Sequence, residues 1–146
     1  MKCLVDTNVL LRSVQLSHPM NSVPAGSINS FLRSGETLVI VPQNVIEFWC
    51  VATRPEAANG LGLSAAETAQ RVKAFRNFLV LLPDANEIFN EWERLVAQHV
   101  VTGKRVYDAR LVAAMLVHEV THILTFNIDD FKRFTAIKVV NPQNIN

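Results

Sequence analysis

Three acidic residues are distinguished by where they fall along the chain: Asp6, Glu47 and Asp108. Asp6 directly follows a short apolar run. Glu47 lies within roughly two turns of the start of a helical stretch opened by Pro42. Asp108 begins a long helical run, and Asn127 follows another apolar run. Carboxylates brought together near neutral pH repel one another, and one of three would take up a proton. A hard divalent cation removes that conflict. Carboxylate oxygens with water at octahedral geometry suit Mg²⁺ or Mn²⁺. An ion held this way can activate water and brace a phosphoryl group for in-line displacement. The chemistry these residue types offer as a set is therefore metal-assisted phosphodiester hydrolysis.

Each residue also has a plainer reading. Asp6 could cap the helix that follows it. Asp108 could be an acid placed favourably in a first helical turn. Asn127 could be a turn residue, and Asp129 with Asp130 a solvated turn pair. Glu47 stands between Ile46 and Phe48 on an otherwise apolar helix, so it needs solvent or a cation, because an unpaired buried carboxylate is costly. The set carries the inference, since each signal alone is weak.

Positioning such a set requires elements that end at one edge. Lys2–Val5 reads as a strand, followed by helical spacing from Asn8 to Val14. Leu16–Ala25, with two prolines, reads as a loop, and Ser27–Arg33 as a helix stopped by Gly35. Thr37–Val41 is a buried strand by composition, and Pro42 opens the next helix. Pro55 and Gly60 interrupt. Ser64-Ala-Ala-Glu67 is a capping box for a helix to about Phe78. Leu79–Leu82 reads as a third strand. Asp84 is expected to cap a helix through His99, Thr102–Arg105 a turn, and Tyr107–Val117 a helix. His122–Phe126 and Ile137–Val140 complete the strands, with a short turn around Phe131 between them and a polar tail, Asn141–Asn146. Apolar strands separated by helices imply a parallel sheet covered on both faces. The expected fold class is α/β, a three-layer α/β/α sandwich with a parallel sheet of about five strands, in a single domain over residues 1–146. In open sheets of this kind, ligands bind beyond the carboxyl ends of the strands. Asp6, Glu47 and Asn127 map to that rim by topology; the position of Asp108 is left open, because its helix precedes a strand.

Composition narrows the classes further. The chain has 146 residues, 49% hydrophobic and 18% charged, which is enough to bury a core and excludes disorder. Lys+Arg 14 against Asp+Glu 13 leaves a charge of +1, so attraction for a polyanion has to be local. The longest apolar run, Leu111 to Val117, is far short of the ~20 residues of a membrane span. Asp6 falls where a signal peptide needs apolar residues, so a cytoplasmic protein is expected. Cys3 and Cys50 are expected to be reduced and buried.

Four stretches together resemble the PIN domain family. They are Cys3-Leu-Val-Asp6-Thr-Asn8-Val-Leu-Leu11, Val45-Ile-Glu47-Phe, Tyr107-Asp108-Ala-Arg-Leu-Val-Ala-Ala114, and Leu124-Thr-Phe-Asn127-Ile-Asp-Asp-Phe131 followed by Val139-Val-Asn-Pro142. Their order and spacing fit over essentially the whole chain, and the length is similar to that of single-domain toxins of VapC type. The resemblance implies a Mg²⁺- or Mn²⁺-dependent endoribonuclease, the toxin of a toxin–antitoxin pair, homodimeric and restrained by a cognate antitoxin. By position it makes Asp6, Glu47 and Asp108 the metal-binding acids. Asn127 matches a fourth catalytic site where many relatives carry Asp, and Asn8 and Thr125 match polar residues bonded to the first acid. Hydrolysis by water would leave 5′-phosphate and 3′-OH ends. Arg12, Lys104, Arg105 and Arg110 lie near the motifs and could engage RNA phosphates. The neutral Asn127 leaves open a PIN-like interaction module without catalysis.

Two other motifs compete. His118-Glu119-Val-Thr-His122 spells H-E-x-x-H, the zinc-hydrolase pattern, which needs both His on one helical face. Gly60-Leu-Gly62-Leu-Ser-Ala65 spells a dinucleotide fingerprint but follows a loop rather than the strand that such a site requires. Trp49 and Trp92 are expected in the core or at a dimer contact.

Overall fold

The computed structural model describes residues 1–145; Asn146, the end of the expected polar tail, lies outside the described residues. Five strands, β1 (Lys2–Val5), β2 (Thr37–Ile40), β3 (Val80–Leu81), β4 (His122–Leu124) and β5 (Lys138–Val140), form one sheet in the order β3-β2-β1-β4-β5. Every pairing is parallel, and Leu4 lies opposite both Val39 and Ile123. The helices are α1 (Thr7–Val14), α2 (Val23–Arg33), α3 (Pro42–Thr53), α4 (Ala65–Phe75), α5 (Glu87–Gln98), α6 (Arg105–Val117) and the single turn α7 (Ile128–Phe131).

Period-2 alternation in the strands splits the core into two layers. Leu4, Val39 and Ile123 point to one side, where α5 and α6 cover them with Ile88, Leu95 and Leu111–Met115. Cys3, Val5, Leu38, Ile40 and Leu124 point to the other, under Val9 and Leu10 of α1, Phe31 of α2, Phe48 of α3 and Phe75 of α4. The result is the expected three-layer α/β/α sandwich. Burial pushes the Cys3 thiol up to about 12, so it serves as an inert core group. No helix among the described residues is long and apolar enough to cross a membrane.

Several boundaries differ from the sequence reading for local reasons. Helix α2 begins at Val23, inside the expected loop, because Pro24 occupies its first turn, where a missing N–H is harmless. Helix α6 begins at Arg105 rather than Tyr107, and α4 stops at Phe75 rather than near Phe78. Asp84 is not a cap. Asn86 holds that position without a side-chain bond, and Asp84 instead pairs with Arg110 at 3.3 Å. Both cysteines are free, but Cys50 is exposed, contrary to expectation. The capping box at Ser64 forms as expected, with Glu67 N–H on Ser64 Oγ at 3.1 Å and Ser64 N–H on Glu67 Oε1 at 3.3 Å.

Candidate active site

Chain order reverses between β1 and β4, the central neighbours of the sheet. A crevice opens at such a switch point, beyond the carboxyl ends of the strands. Asp6 leaves β1 and Thr125 leaves β4 at this place. A cavity of about 320 Å³ lies above them, lined by Asp6, Thr7, Asn8, Glu47, Asp108 and Asn127, with Leu11, Cys50, Val51 and Arg54. Asp6, Glu47, Asp108 and Asn127, remote in sequence, thus share one pocket.

Asp6 is 6% exposed and its carboxylate is closely held. Oδ1 accepts the Thr7 N–H at 2.7 Å, so Asp6 does cap α1 as its plainer reading held. Oδ2 accepts the Thr125 hydroxyl at 2.8 Å and Asn8 Nδ2 at 3.2 Å. Asn8 also donates to Thr125 Oγ1 at 3.0 Å and accepts the Phe126 N–H at 3.1 Å, which ties α1 to the chain leaving β4. Burial raises the Asp6 carboxyl to about 7; the Thr125 and Thr7 bonds oppose this, while the charges of Glu47 and Asp108 add to it.

Glu47 arrives from α3, which Pro42 starts and whose first turn is closed by Asn44 Oδ1 accepting the Val41 N–H at 2.9 Å. Gln43 Nε2 donates to Glu47 Oε1 at 2.6 Å, and the Thr7 hydroxyl donates to Oε2 at 3.4 Å. Asp108 stands in the first turn of α6, with its side chain 25% exposed. Burial raises it to about 6; the Asp130 and Glu47 charges push the same way, and Arg105 opposes them. The fourth position is neutral: Asn127 precedes α7 without a side-chain capping bond and gives its N–H to Thr125 Oγ1 at 3.0 Å.

The donors in the pocket are carboxylate and amide oxygens, suited to a hard divalent ion. A carboxylate has about four acceptor sites. Asp6 uses three and Glu47 two, so each keeps capacity for a further partner. Among the described residues, no three His, Cys, Asp or Glu side chains converge into a ready-made cage. Mg²⁺ does not require one, since it usually retains several waters and takes one or two carboxylates directly. The residues present fit such an ion.

Other expected contributors are distributed differently. Arg12 bonds Gln15 at 2.6 Å, and Arg110 is engaged by Asp84 and Gln43. Arg105 bridges Asp108, at 3.6 Å, and Asp130. Neither these three nor Lys104 lines the cavity. Gln43 and Arg54, to which the sequence reading assigned no role, are part of the site, as are Cys50 and Asp130, expected as a core thiol and a solvated turn residue. Cys50 and Arg54 follow Glu47 at steps of three and four on one helical face, a spacing that could have revealed them. Asp130 is no freely solvated turn residue, because Arg105 holds it beside Asp108.

Helix α6 ends at Val117, and Glu119 sits in the left-handed region at φ 58°. His118 Nε2 contacts the Pro83 carbonyl at 2.7 Å, and His122 opens β4 beside the Thr121 hydroxyl. The H-E-x-x-H letters therefore share no helical face and make no zinc site.

The PIN domain family model matches residues 3–137. The chain belongs to the PIN domain family. Solved structures share this PIN fold over nearly the full length. VapBC2 from Rickettsia felis, bound to a DNA fragment from its promoter, matches with a TM-score of 0.71 at 14% identity, covering 97% of this chain and 98% of that one. VapBC-1 from nontypeable Haemophilus influenzae matches with 0.71 at 13%, covering 99% and 100%. VapC20 from Mycobacterium tuberculosis, described as a sarcin-ricin-loop-cleaving toxin, matches with 0.65 at 13%, covering 90% and 95%. Sequence comparison with curated proteins gives no match.

Proposed function

We propose that this PIN domain is a divalent-metal-dependent endoribonuclease and the toxin of a toxin–antitoxin pair. One observation carries the reading: Asp6, Glu47 and Asp108 line a single open pocket at the switch point of the sheet, where the charges of the latter two add to the burial that raises the Asp6 carboxyl. Structural relatives that are VapBC assemblies, and one that cleaves the sarcin-ricin loop, support the toxin role and an antitoxin partner.

Asp6, Glu47 and Asp108 would hold Mg²⁺ or Mn²⁺, which when bound supplies activation of water and neutralises charge on the phosphate. Thr125 and Asn8 fix the rotamer of Asp6, and the Thr7 N–H favours its charged form. Asn127, on the lining, would orient a water by its amide. Arg54 is the cation on the lining and is suited to a backbone phosphate. Water attacks phosphorus in line and the P–O3′ bond breaks, the O3′ taking a proton. The products carry 5′-phosphate and 3′-OH. A second copy and the antitoxin would find apolar surface at Ile46 and Trp49 on α3 and at Phe89 on α5.

The test is cleavage of RNA by the purified chain with Mn²⁺ or Mg²⁺, and its loss on chelation and in Asp6→Asn. A properly folded chain that binds RNA without cutting it in either metal would instead make this a PIN-like interaction module, the reading that the neutral Asn127 keeps open. Cleavage that persists unchanged in Asp6→Asn would mark a contaminating nuclease.

A further inference from the structure

Glu47 and Asp108 reach the pocket from opposite layers of the sandwich. Helix α3 packs with α1 and α4 over one face of the sheet, and α6 packs with α5 over the other. Core packing therefore sets each helix against the sheet, but does little to set one helix against the other. One side chain spans the gap. Gln43, 8% exposed, lies one turn before Glu47 on α3. Its Nε2 donates both to Glu47 Oε1 at 2.6 Å and to the Tyr107 carbonyl at 2.9 Å. Tyr107 immediately precedes Asp108 in the first turn of α6. The Gln43 Oε1 in turn accepts from Arg110 at 3.4 Å, and Arg110 pairs with Asp84 at 3.3 Å.

We propose that Gln43 is a positioning residue that fixes Glu47 relative to Asp108 by clamping the start of α6 to the Glu47 carboxylate; as a role in this pocket, it rests on the nuclease reading above. The chemistry selects an amide. Two N–H donors on one nitrogen meet two acceptors on different helices, and the carbonyl of the same group meets a guanidinium. A carboxylate at this position would have no proton for either acceptor and would repel Glu47. An aliphatic side chain would leave the Tyr107 carbonyl and Glu47 Oε1 without this partner. The Arg110 cation polarises the amide and strengthens its donation, as in hydrogen-bond chains generally. Arg110 thus acts behind Gln43 instead of reaching for substrate.

The test uses the full chain with Mn²⁺ alone, followed by calorimetry across pH, and then with RNA. Gln43→Met keeps the length of the side chain and removes its bonds. Its Mn²⁺ affinity is expected to fall about 10–100-fold, the range for residues that orient ligands, with kcat reduced and the KM for RNA little changed. Gln43→Glu is expected to move the acid limb of Mn²⁺ binding to higher pH, because a second carboxyl beside Glu47 favours protonation. Arg110→Met should weaken Mn²⁺ binding in the same direction by less. A filler of space alone would leave the affinity and the pH dependence of binding unmoved in Gln43→Met and in Arg110→Met. If Gln43→Met does not fold, Arg110→Met decides. Wild-type Mn²⁺ affinity and pH dependence in the folded variants would overturn the role of Gln43, whether or not the chain cuts RNA. Normal Mn²⁺ binding by the wild type without cleavage would overturn the nuclease reading while leaving Gln43 to be judged by the metal titration. A wild-type chain that binds no Mn²⁺ would overturn both.

Discussion

The Thr125 hydroxyl donates to Asp6 Oδ2 at 2.8 Å across 119 residues of sequence. It joins the end of β4 to the end of β1 where the strand order reverses, and the threonine oxygen also accepts from Asn8 and from the Asn127 N–H. Thr125→Val removes all three bonds at nearly constant volume. Leaving buried partners unsatisfied is expected to cost about 1–3 kcal/mol, measured by urea denaturation. The Asp6 carboxyl rises above about 7, since the bond that most opposes burial is gone. Mn²⁺ affinity at neutral pH then falls about 10–100-fold. Thr125→Ser should restore both. Wild-type affinity in the valine variant would show that the hydroxyl does not orient Asp6.

Metal and pH are linked through the two raised acids. Asp6 moves from 3.8 to about 7 and Asp108 from 3.8 to about 6 on folding. Between these limits the folded chain binds protons that the unfolded chain has released. The contribution of these groups to stability is therefore complete below pH 3.8 and is lost as pH rises through about 6 and then about 7. A divalent cation favours the charged forms, so its binding releases protons and tightens over the same window. The gain in melting temperature from Mn²⁺ over EDTA is expected to be small at pH 5 and to grow steadily to pH 8. A gain independent of pH, or none at pH 8, would contradict the linkage.

Arg105 stands beside Asp108, one of the acids that would hold a metal. Its guanidinium pairs with Asp130 and reaches Asp108 at 3.6 Å, with its own side chain half exposed. It relieves repulsion between the two acids when no ion is present, and it repels an ion that arrives. Arg105→Met is expected to push the Asp108 carboxyl higher, because both the charge and the hydrogen bond that lower it vanish. At pH high enough for Asp108 to be charged in both proteins, the variant should bind Mn²⁺ more tightly, by up to about tenfold for one screened unit charge at this range. Weaker Mn²⁺ binding at that pH would instead make Arg105 a support of the site.

The fold was legible because its signals are local and redundant. Apolar strands between capped helices leave few alternatives to a covered parallel sheet, and Pro42 and the Ser64–Glu67 box mark helix starts by backbone chemistry alone. Asp6 and Asn127 were legible from topology, as both follow strands. Asp108 was not, because its approach to the rim depends on how far α6 extends past the sheet. Gln43 and Asp130 were hidden for the same reason: their partners, on α6, lie far away in sequence. Asp84 shows the converse error. Its spacing from Glu87 fits a cap, but Arg110 offers it an ion pair and the helix starts without it. Cys50 misled by its apolar surroundings: Phe48 and Ala52 are buried in the core, while Cys50 is exposed at the pocket.

Among the described residues, three α-helices end in the same way, one of them with the favourable glycine. After α2, α5 and α6 the chain takes a left-handed residue, Gly35 at φ 78°, Val100 at 49° and Glu119 at 58°. In each case the next N–H bonds back to the carbonyl five residues earlier: Glu36 to Phe31 at 3.1 Å, Val101 to Val96 at 3.0 Å and Val120 to Met115 at 2.8 Å. This termination favours glycine, because a side chain in the left-handed region costs about 1–2 kcal/mol, and a β-branched one is the least suited to it. Val100 is 77% exposed, so little packing offsets that cost. Val100→Gly is expected to raise stability by about 1 kcal/mol and the melting temperature by about 2–4 °C, as scales for a chain of this size. Gly35→Val should lower stability by a similar amount, since that position has open space around it and only the backbone objects. Thermal unfolding of both variants in EDTA measures the pair, and an unchanged or lower melting temperature in Val100→Gly would show that the valine is held by more than its backbone.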